Sequence, residues 1–489
     1  MKQSGMYHLI EHVRQVQREH QLWVQGSCII VAVSGGPDSV ALLHVLNHLA
    51  LEDNLKLVCA HVNHGFRGEE SDREAVFVGE LANQLGISFE LGQFDVPAYM
   101  KLTGKGTQVA AREVRYQFLY EVAMKHQATS IALAHHGDDQ AETVMLHLLR
   151  GSGPTGLAGM RIKRVAPQHE QKLEQKLQLI RPFLQMYKKD LVAACEEEKI
   201  AFVTDSSNLI NKYTRNAIRL DVLPFLGQYN ERLASALNTT AEIVGTEDDY
   251  MAQQTEVLYK QLISEIKHGL AFSAKSFQLL HVALQRRLIK LILNYSPFKM
   301  EESDFIKIED IRSRILRENP INWRLDLGGR LRCVREYDII SFVQDVSDPN
   351  VAGYTYRIDQ DEQEVSIPEI RKKLMITQCM AGSGMDTIIS SANNTAYFDA
   401  DELKYPLTIR SRLPGDSMRL MGLNGSKKVK DIFIDDKIPP SLRPHIPIIS
   451  DALGRIIWIA GIRRSALATL HQHTTSIVRM VLVSEGEMS

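Results

Sequence analysis

The chain has 489 residues, of which 44% are hydrophobic and 24% are charged, and its formal net charge is −2. This length predicts more than one domain, and the near-neutral charge excludes a uniformly basic nucleic-acid binder. The five cysteines are widely separated and form no C-x-x-C pair, which argues against a disulfide framework, a zinc ribbon or a cysteine-ligated iron–sulfur cluster. We find no membrane-length apolar run and no leader-like N-terminal pattern, so we expect a cytoplasmic protein that contacts no membrane.

Residues 1–218 alternate short β-rich runs with helical patterns, which is typical of an α/β fold with a parallel sheet. The predicted strands are residues 28–33, 57–62, 88–94, 130–135, 179–181 and 201–204. The helical patterns between them include residues 72–85, 107–126, 142–149 and 188–198. Ligands of such folds bind beyond the carboxyl ends of the strands.

The pattern changes near Arg219. Long helical periodicities follow at residues 232–266, 276–293 and 303–316, with little strand signal apart from a hairpin around Gly328-Gly329. A linker-like run at residues 347–350 precedes a β-rich part with strands predicted at 447–450 and 456–460. We therefore predict three domains: an α/β domain at 1–218, a mainly helical domain at 219–345 and a small α+β domain at 346–489.

The most informative stretch is Ser34-Gly35-Gly36-Pro37-Asp38-Ser39, between an apolar run and a helical pattern. A strand, a glycine-rich turn and a helix N-terminus form a cradle whose backbone N–H groups bind phosphate. The Walker A lysine is missing, which favours a loop that holds pyrophosphate as a leaving group. Asp38 suits a phosphate site only if a cation lies between them, so we expect Mg²⁺ at its carboxylate. The alternative is a plain helix cap.

A second polar cluster, residues 135–142, also lies at the carboxyl end of a predicted strand. Asp139 and Glu142 have the spacing of a helix-capping pair, which is the structural alternative. A helix cap does not need two histidines and two aspartates. The cluster contains hard oxygen ligands and no nearby cysteine, which favours a site for a magnesium–nucleotide complex over a zinc site. Two arginine-rich segments, with Arg112 and Arg115 in one and Arg215 and Arg219 in the other, are either solvated helix faces or phosphate-binding groups.

Together these residues resemble the N-type ATP pyrophosphatase (PP-loop) superfamily and, within it, the tRNA(Ile)-lysidine synthetase family. The resemblance is carried by the glycine loop and by further blocks in the family's order: residues 61–67, 70–72, 134–159, 181–184, 205–208, 215–219, 410–416, 425–431 and 460–461. It spans most of the chain, although the middle helical region and residues 344–405 carry no specific motif.

The resemblance implies a two-step ligation on the first anticodon cytidine of a tRNA(Ile) with a CAU anticodon. ATP adenylates the C2 oxygen of this base and pyrophosphate leaves; the ε-amine of free L-lysine then displaces AMP and gives lysidine. The residues that the resemblance implies for ATP binding are Ser34, Gly35, Gly36, Pro37, Asp38, Ser39, His61 and His135.

The resemblance also implies catalytic roles. Asp38 and Asp139 would position Mg²⁺, and Arg112 and Arg215 would neutralise the charge that builds at the α-phosphate. Asp138 or Asp139 would orient the lysine amine and accept its proton. The resemblance leaves room for a homodimer.

Charge is distributed unevenly in the C-terminal part. Residues 407–445 contain eight Lys and Arg against four Asp, a net charge of +4. Lys427, Lys428 and Lys430 lie next to a glycine-containing loop and are expected to contact tRNA phosphates. Arg286 and Arg287 offer a second, weaker basic face. In both places a solvated charged surface is the alternative.

The residues alone leave two other classes of function open. One is another PP-loop tRNA-modifying enzyme, such as a 2-thiocytidine synthase, although the expected cysteine pair is missing. An amidotransferase-type synthetase would need a nucleophile for which we find no candidate. The other is a non-catalytic adenine-nucleotide sensor, which would not need the cluster at 135–142.

Overall fold

The computed structural model describes residues 4–66, 68–166, 176–203, 214–295, 305–318, 321–344, 353–380, 394–421 and 425–484. It divides into two compact units, Met1–Met251 and Ala252–Ser489. Arg67, the family block at 205–208, the linker-like run at 347–350 and loop residues 422–424 lie outside the described residues. The division into three domains stays a prediction.

The first unit alternates helices and strands in chain order. They are α1 Gly5–His20, β1 Cys28–Ala32, α2 Pro37–Asp53, β2 Lys56–Asn63, α3 Glu69–Gln84, β3 Ser88–Gln93, α4 Val96–Thr103, α5 Thr107–Lys125, β4 Ser130–Ala132, α6 Gly137–Leu149, α7 Pro154–Leu157, β5 Lys163–Val165, β6 Gln178–Ile180, α8 Lys188–Glu197, α9 Thr214–Ala217 and α10 Leu223–Gly227. A π-helical turn, Ile218–Val222, joins α9 to α10. The helix α11, Leu233–Leu262, contributes its first residues to this unit.

Within the described part of this unit, six strands form one sheet in the order β3-β2-β1-β4-β6-β5. The pairs β3–β2, β2–β1, β1–β4 and β4–β6 are parallel, and β5 is antiparallel to β6. Successive side chains of β1 enter different cores, because strand residues alternate between faces. Ile29 and Val31 pack with α1 and α2, while Ile30 packs with α5. Helices therefore cover both faces, and the predicted parallel α/β fold is confirmed.

Two local predictions in this unit were wrong. Residues 201–203 form no strand, because the Val203 N–H donates to the carbonyl of Gly35, 2.9 Å away, instead of to a neighbouring strand. The helix predicted from Glu142 begins earlier, at Gly137, since the carboxylate of Asp139 accepts the backbone N–H of His136 at 3.2 Å and caps the first turn.

The second unit contains more strands than helices among its described residues. After α11 its elements are β7 Ser264–Ile266, β8 Gly269–Ser273, α12 Ala274–Gln278, α13 Val282–Tyr295, α14 Phe305–Leu316, β9 Asn322–Gly328, β10 Leu331–Glu336, β11 Ile339–Gln344, β12 Thr355–Ile358, β13 Glu364–Ile367, β14 Lys372–Met380, β15 Thr395–Asp399, β16 Leu407–Arg410, β17 Ser417–Arg419, β18 Ser426–Lys428, α15 Val429–Asp435, β19 Ile448–Ser450, β20 Ile456–Ile459, β21 Arg463–Arg464 and β22 Ser476–Ser484.

The expectation of little strand structure at 219–345 missed a sheet. Among the described residues of this region, five antiparallel strands pair in the order β7-β8-β11-β10-β9. Only the hairpin around Gly328-Gly329 was predicted. β7 and β8 have 3 and 5 residues and follow a long helix without a strong break, so their period-2 signal is too short to detect. Phe272, Phe277 and Leu288 join this sheet to α12 and α13 in one core.

In the described residues, the C-terminal part is built from antiparallel sheets with one short α-helix, α15, and two 3-10 turns. One sheet has the order β12-β16-β19-β20-β21 and another the order β13-β14-β22-β15. Phe398 and Trp458 are buried in the core between them. The strands predicted at 447–450 and 456–460 are confirmed as β19 and β20. In the part of the chain that the structure describes, no helix is both long and apolar enough to cross a membrane.

Candidate active site

The glycine loop connects the buried strand β1 to the N-terminus of α2. Gly35 has φ +92°, a conformation that favours glycine, and Gly36 precedes the first helical residue, Pro37. The hydroxyl of Ser39 accepts the Ser34 N–H at 3.1 Å and donates to the Gly36 carbonyl at 3.0 Å. These bonds fix a turn whose N–H groups, with the positive end of the helix dipole, can hold phosphate oxygens.

A cleft of about 790 Å³ lies beside this loop. Most of the residues predicted for the site line it: Ser34, Gly36, Pro37, Asp38, Ser39, His61, Arg112, His135, Asp139 and Arg215. Gly35 belongs to the loop but does not line the cleft, and neither does Asp138. The cleft is also lined by His64 and Lys188, to which no role was assigned from the sequence, and by Arg115, which was considered with Arg112 but not selected. Parallel strands explain the assembly, because β1, β2 and β4 end at the same edge of the sheet.

Asp38 presents an unusual carboxylate to the cleft. Its Oδ1 atom is buried and has no hydrogen-bond partner among the described residues. Its Oδ2 atom lies 3.6 Å from Nε2 of His136 and 4.0 Å from the Lys188 ammonium. A buried carboxylate oxygen without a donor is costly, and a cation or a ligand donor would satisfy it.

His136 is the cation at the centre of three carboxylates. Its Nε2 atom lies 3.4 Å from Asp139 Oδ2, and its Nδ1 atom lies 3.3 Å from Asp138 Oδ2. Burial alone would lower the pKa of His136, but Asp138, Asp38 and Asp139 outweigh burial and raise this pKa to about 9. His136 lies in the predicted cluster at 135–142, but only His135 was assigned to ATP binding, because two adjacent histidines give no signal of which one faces acidic groups.

Asp139 and Glu142 bind two arginines, Arg215 of α9 and Arg219 of the π-helical turn. Arg215 donates to Asp139 Oδ1 at 3.3 Å and to Glu142 Oε2 at 3.0 Å. Arg219 donates to the same two carboxylates, at 3.2 Å to Asp139. Glu142 is only 2% exposed, so its charge depends on these partners. The structure thus brings Asp139 and Arg215 together as an ion pair within the cleft.

Asp138 has a different position from Asp139. Its Oδ2 atom accepts the backbone N–H of Lys188 at 2.9 Å and so caps the N-terminus of α8. Burial opposes ionisation, but His136 and this N–H outweigh it and lower the pKa of Asp138. Asp138 therefore connects two helices beside the cleft instead of lining it.

The two predicted cleft histidines have different hydrogen-bond partners. His61 places Nδ1 2.8 Å from the Val33 carbonyl, which can only accept. His135 receives a hydrogen bond at Nδ1 from Arg181 Nε, at 3.2 Å. Burial lowers the pKa of His61, and burial together with Arg181, Arg115, Arg215 and Arg112 holds the pKa of His135 well below its usual value. Both rings are therefore neutral at pH 7.

Arg112 and Arg115 lie near each other on α5 and both line the cleft. Their guanidinium carbons are 4.9 Å and 5.5 Å from the centre of the Tyr116 ring. Nε of Arg115 is buried without a hydrogen-bond partner among the described residues. Cationic groups with unused donors at the cleft wall suit an anionic ligand. The shared face of Arg112 and Arg115 was visible in the sequence, but only Arg112 was selected.

The basic residues predicted to contact tRNA lie in the second unit, and they differ in exposure and in whether a carboxylate pairs with them. Lys428 and Lys430 are exposed, whereas Lys427 forms an ion pair with Asp435. Arg286 donates to Glu309 at 2.7 Å, and hydrogen bonds from Arg286 and Arg312 lower the pKa of Glu309 to about 2. Arg287 is partly buried. Of these residues, Lys428 and Lys430 are the best placed to contact phosphates.

Comparisons with known proteins match two parts of the chain to family models. One model, described as "PP-loop domain", matches residues 7–226, which include the glycine loop and the cleft. Another, described as "TilS substrate C-terminal domain", matches residues 407–480, which include the basic segment. A solved structure described as "Crystal structure of TILS C-terminal domain" is 26% identical and covers 27% of this chain and 98% of that chain, with a TM-score of 0.24.

Curated relatives match almost the whole chain. A tRNA(Ile)-lysidine synthase of Bacillus licheniformis is 36% identical over 465 residues, which cover 94% of each chain. A tRNA(Ile)-lysidine synthase of Bacillus subtilis strain 168 is 35% identical and covers 94% of this chain and 95% of the relative. Because this identity extends over both units and both matched models, the chain belongs to the tRNA(Ile)-lysidine synthase family.

Proposed function

We propose that the protein is a ligase that joins L-lysine to C2 of the first anticodon cytidine of a tRNA(Ile) with a CAU anticodon. ATP, lysine and this tRNA are consumed, and lysidine-containing tRNA, AMP and pyrophosphate are released. These substrates are cytoplasmic, so we propose that the enzyme acts in the cytoplasm.

One observation carries the proposal for the chemistry. The cleft combines a lysine-free glycine loop with arginines and a carboxylate oxygen that has no partner. A loop of this type suits an ATP whose β- and γ-phosphates leave together as pyrophosphate. Full-length similarity to lysidine synthases supports cytidine and lysine as the two groups that are joined.

In the first step the cytidine O2 attacks the α-phosphorus, and the bond to the pyrophosphate oxygen breaks. We assign the Ser34–Ser39 loop to the β- and γ-phosphates, and Arg112 to the α-phosphate, where negative charge builds. Arg115 and Lys188 line the same cleft and add positive charge there. Arg215 lines the same cleft, which supports an α-phosphate role for its guanidinium.

In the second step the lysine ε-amine attacks C2 of the adenylated base, and the bond from C2 to the AMP oxygen breaks. The amine must lose a proton first, because an ammonium has no lone pair. Of the two candidate carboxylates, Asp139 lines the cleft and Asp138 caps α8. We therefore assign the orientation of the amine and the acceptance of its proton to Asp139.

The donor set fits a magnesium ion. In the described residues no group of three or more His, Cys, Asp or Glu is arranged to hold a metal. Mg²⁺ uses one or two carboxylates together with substrate phosphates and waters, so a full protein cage is not expected. The unpartnered Oδ1 of Asp38 makes it the main candidate ligand, with Asp139 second. When bound, Mg²⁺ would supply positive charge to the departing pyrophosphate.

The direct test uses purified protein, ATP, Mg²⁺, radiolabelled lysine and a tRNA(Ile) transcript with a CAU anticodon. We expect label to enter the tRNA with one pyrophosphate released per lysine incorporated. The matched control is the same transcript with a GAU anticodon, which has no cytidine at the first position and should receive no label. Equal labelling of both transcripts, or of neither, would contradict the proposal.

A further inference from the structure

Arg181 is a buried arginine that contacts a histidine of the cleft without lining the cleft itself. It lies directly after β6 and is 2% exposed. Its Nε donates to Nδ1 of His135 at 3.2 Å, and its Nη1 donates to the carbonyl of Arg161 at 2.7 Å. Among residues 4–166 and the other described parts of the chain, no carboxylate forms a salt bridge with it. Its side chain is thus held by an acceptor on each side of the guanidinium.

The contact determines which nitrogen of His135 carries the proton. A guanidinium has only donors, so a ring nitrogen that bonds to it must be the unprotonated acceptor. In a neutral imidazole the other nitrogen, Nε2, then carries the hydrogen. His61 shows the opposite arrangement, because its Nδ1 must donate to the carbonyl of Val33 and its Nε2 is left as an acceptor. The cleft therefore contains one histidine donor and one histidine acceptor.

We propose that Arg181 is a positioning residue that fixes His135 as the Nε2–H tautomer, so that this N–H is a donor to a phosphate oxygen of the nucleotide. Arg181 touches no substrate and acts through the ring. This inference rests on the proposed function for the identity of the nucleotide.

The surroundings explain why a neutral donor is useful at this place. His135 lies in the field of Arg181, Arg112, Arg115 and Arg215, and a protonated ring would be repelled by all four. A neutral ring donates one hydrogen bond to an anion without adding to this repulsion. The correct tautomer is then essential, because the Nδ1–H form would present a lone pair to the phosphate.

The tautomer can be measured without any substrate. In protein labelled with ¹⁵N-histidine, long-range proton–nitrogen correlations distinguish the Nε2–H form, the Nδ1–H form and the imidazolium. The signals of His135 are identified by their loss in His135→Asn. We expect the Nε2–H pattern at pH 7.5 in the wild type and a mixture of tautomers in Arg181→Met. An Nδ1–H or imidazolium pattern in the wild type would overturn the proposal, whatever reaction the enzyme catalyses.

A double-mutant cycle tests whether Arg181 acts through His135. We expect Arg181→Met to lower kcat/KM for pyrophosphate release at least about tenfold, as for the loss of one good hydrogen bond. In a His135→Ala background the same substitution should have almost no further effect. Additive losses would show a merely structural role and would contradict the proposal. Arg181→Lys keeps a donor in the buried site and should restore part of the rate, which covers the case in which Arg181→Met folds poorly.

Discussion

At the scale of single residues, the surroundings of the carboxylate oxygens distinguish two candidate catalytic residues, Asp38 and Asp138. Asp38 has a buried oxygen without a donor, whereas Asp138 uses its carboxylate to cap α8. Both were predicted as catalytic residues from the sequence. The sequence could not separate them, because the distinction depends on what the side chains meet after folding. Lys188 reaches Asp38 from 150 positions away in the chain, and no sequence signal marks that contact.

We expect Asp38→Asn to lower the rate of pyrophosphate release by at least about a hundredfold while the protein stays folded, since an amide is a weak ligand for a cation at a phosphate site. Pyrophosphate release and a thermal unfolding curve measure the two effects. The matched control is Asp138→Asn, which makes the same change of charge. It should cost about 1 kcal/mol of helix capping and leave the rate near that of the wild type. Equal losses of rate in both variants would contradict these assignments.

At the scale of elements, the site is held at the start of α6. Gly137 lies so close to the segment before α8 that a Cβ atom there would lie 2.9 Å from the Met186 carbonyl oxygen and 3.0 Å from the Asn238 amide nitrogen. The Gly137 N–H donates to that same carbonyl at 2.6 Å. The sequence predicted this helix but placed its start five residues late, because a cap formed by Asp139 on the N–H of His136 depends on backbone geometry.

Gly137→Ala should therefore push the start of α6 away from Met186. We expect a loss of about 1–3 kcal/mol in the free energy of unfolding, as for other overpacked sites, together with a lower rate of pyrophosphate release. Gly227→Ala is the control, because an added Cβ there meets nothing within 4 Å. Denaturant unfolding and the pyrophosphate assay measure both variants. A Gly137→Ala protein as stable and active as the control would show that the start of α6 tolerates displacement.

β18 and α15 carry the three lysines that are predicted to contact tRNA, Lys427, Lys428 and Lys430. We expect Lys428→Ala and Lys430→Ala each to weaken tRNA binding and to reduce the slope of log K against log salt by roughly 0.7. Lys427→Ala should have a smaller effect, since its ammonium is already paired with Asp435. Filter binding at several salt concentrations measures the slope. Lys56→Ala, at the opposite end of the catalytic sheet from the cleft, is the control. If all four variants had the same slope, the surface would be merely solvated.

At the scale of the whole molecule, the sequence predicted the architecture of both ends better than the middle. β1 and α2 were predictable because a continuous apolar run that ends in a glycine pair is typical of a buried strand followed by a turn. The sheet of β7 to β11 was predicted only in its hairpin around Gly328-Gly329, because β7 and β8 are too short to show a period-2 pattern in the sequence. The site residues came from motifs, but the contacts of Arg181 and His136 arise only from the tertiary fold.

Buried histidines should make stability depend on pH in one direction. Burial, with the charges of Arg115 and His61, lowers the pKa of His64 to about 4, and the pKa values of His61 and His135 are also lowered. Unfolded histidines bind protons near pH 6.5, so below that pH the unfolded state binds more protons than the folded state. We expect the unfolding temperature to fall steadily from pH 6.5 to 5.

Thermal unfolding in a series of buffers at constant ionic strength measures this dependence. His64→Gln should flatten the curve over the same range, because it removes one group whose pKa differs between the two states. The raised pKa of His136 opposes this trend only slightly, since the folded ring is already protonated throughout the window and the unfolded ring completes its protonation as the pH falls. An unfolding temperature that stays constant down to pH 5 would contradict the prediction.

The edge strand β5 has a consequence for the protein in solution. It is three residues long, exposed and antiparallel to its neighbour, and it carries the cations Lys163 and Arg164. An edge strand offers unpaired N–H and C=O groups to any other chain, and short, charged edges resist such addition. The sheet that carries the active site is therefore protected on this side from aggregation, and a crowded cell can hold many copies without their sheets joining there.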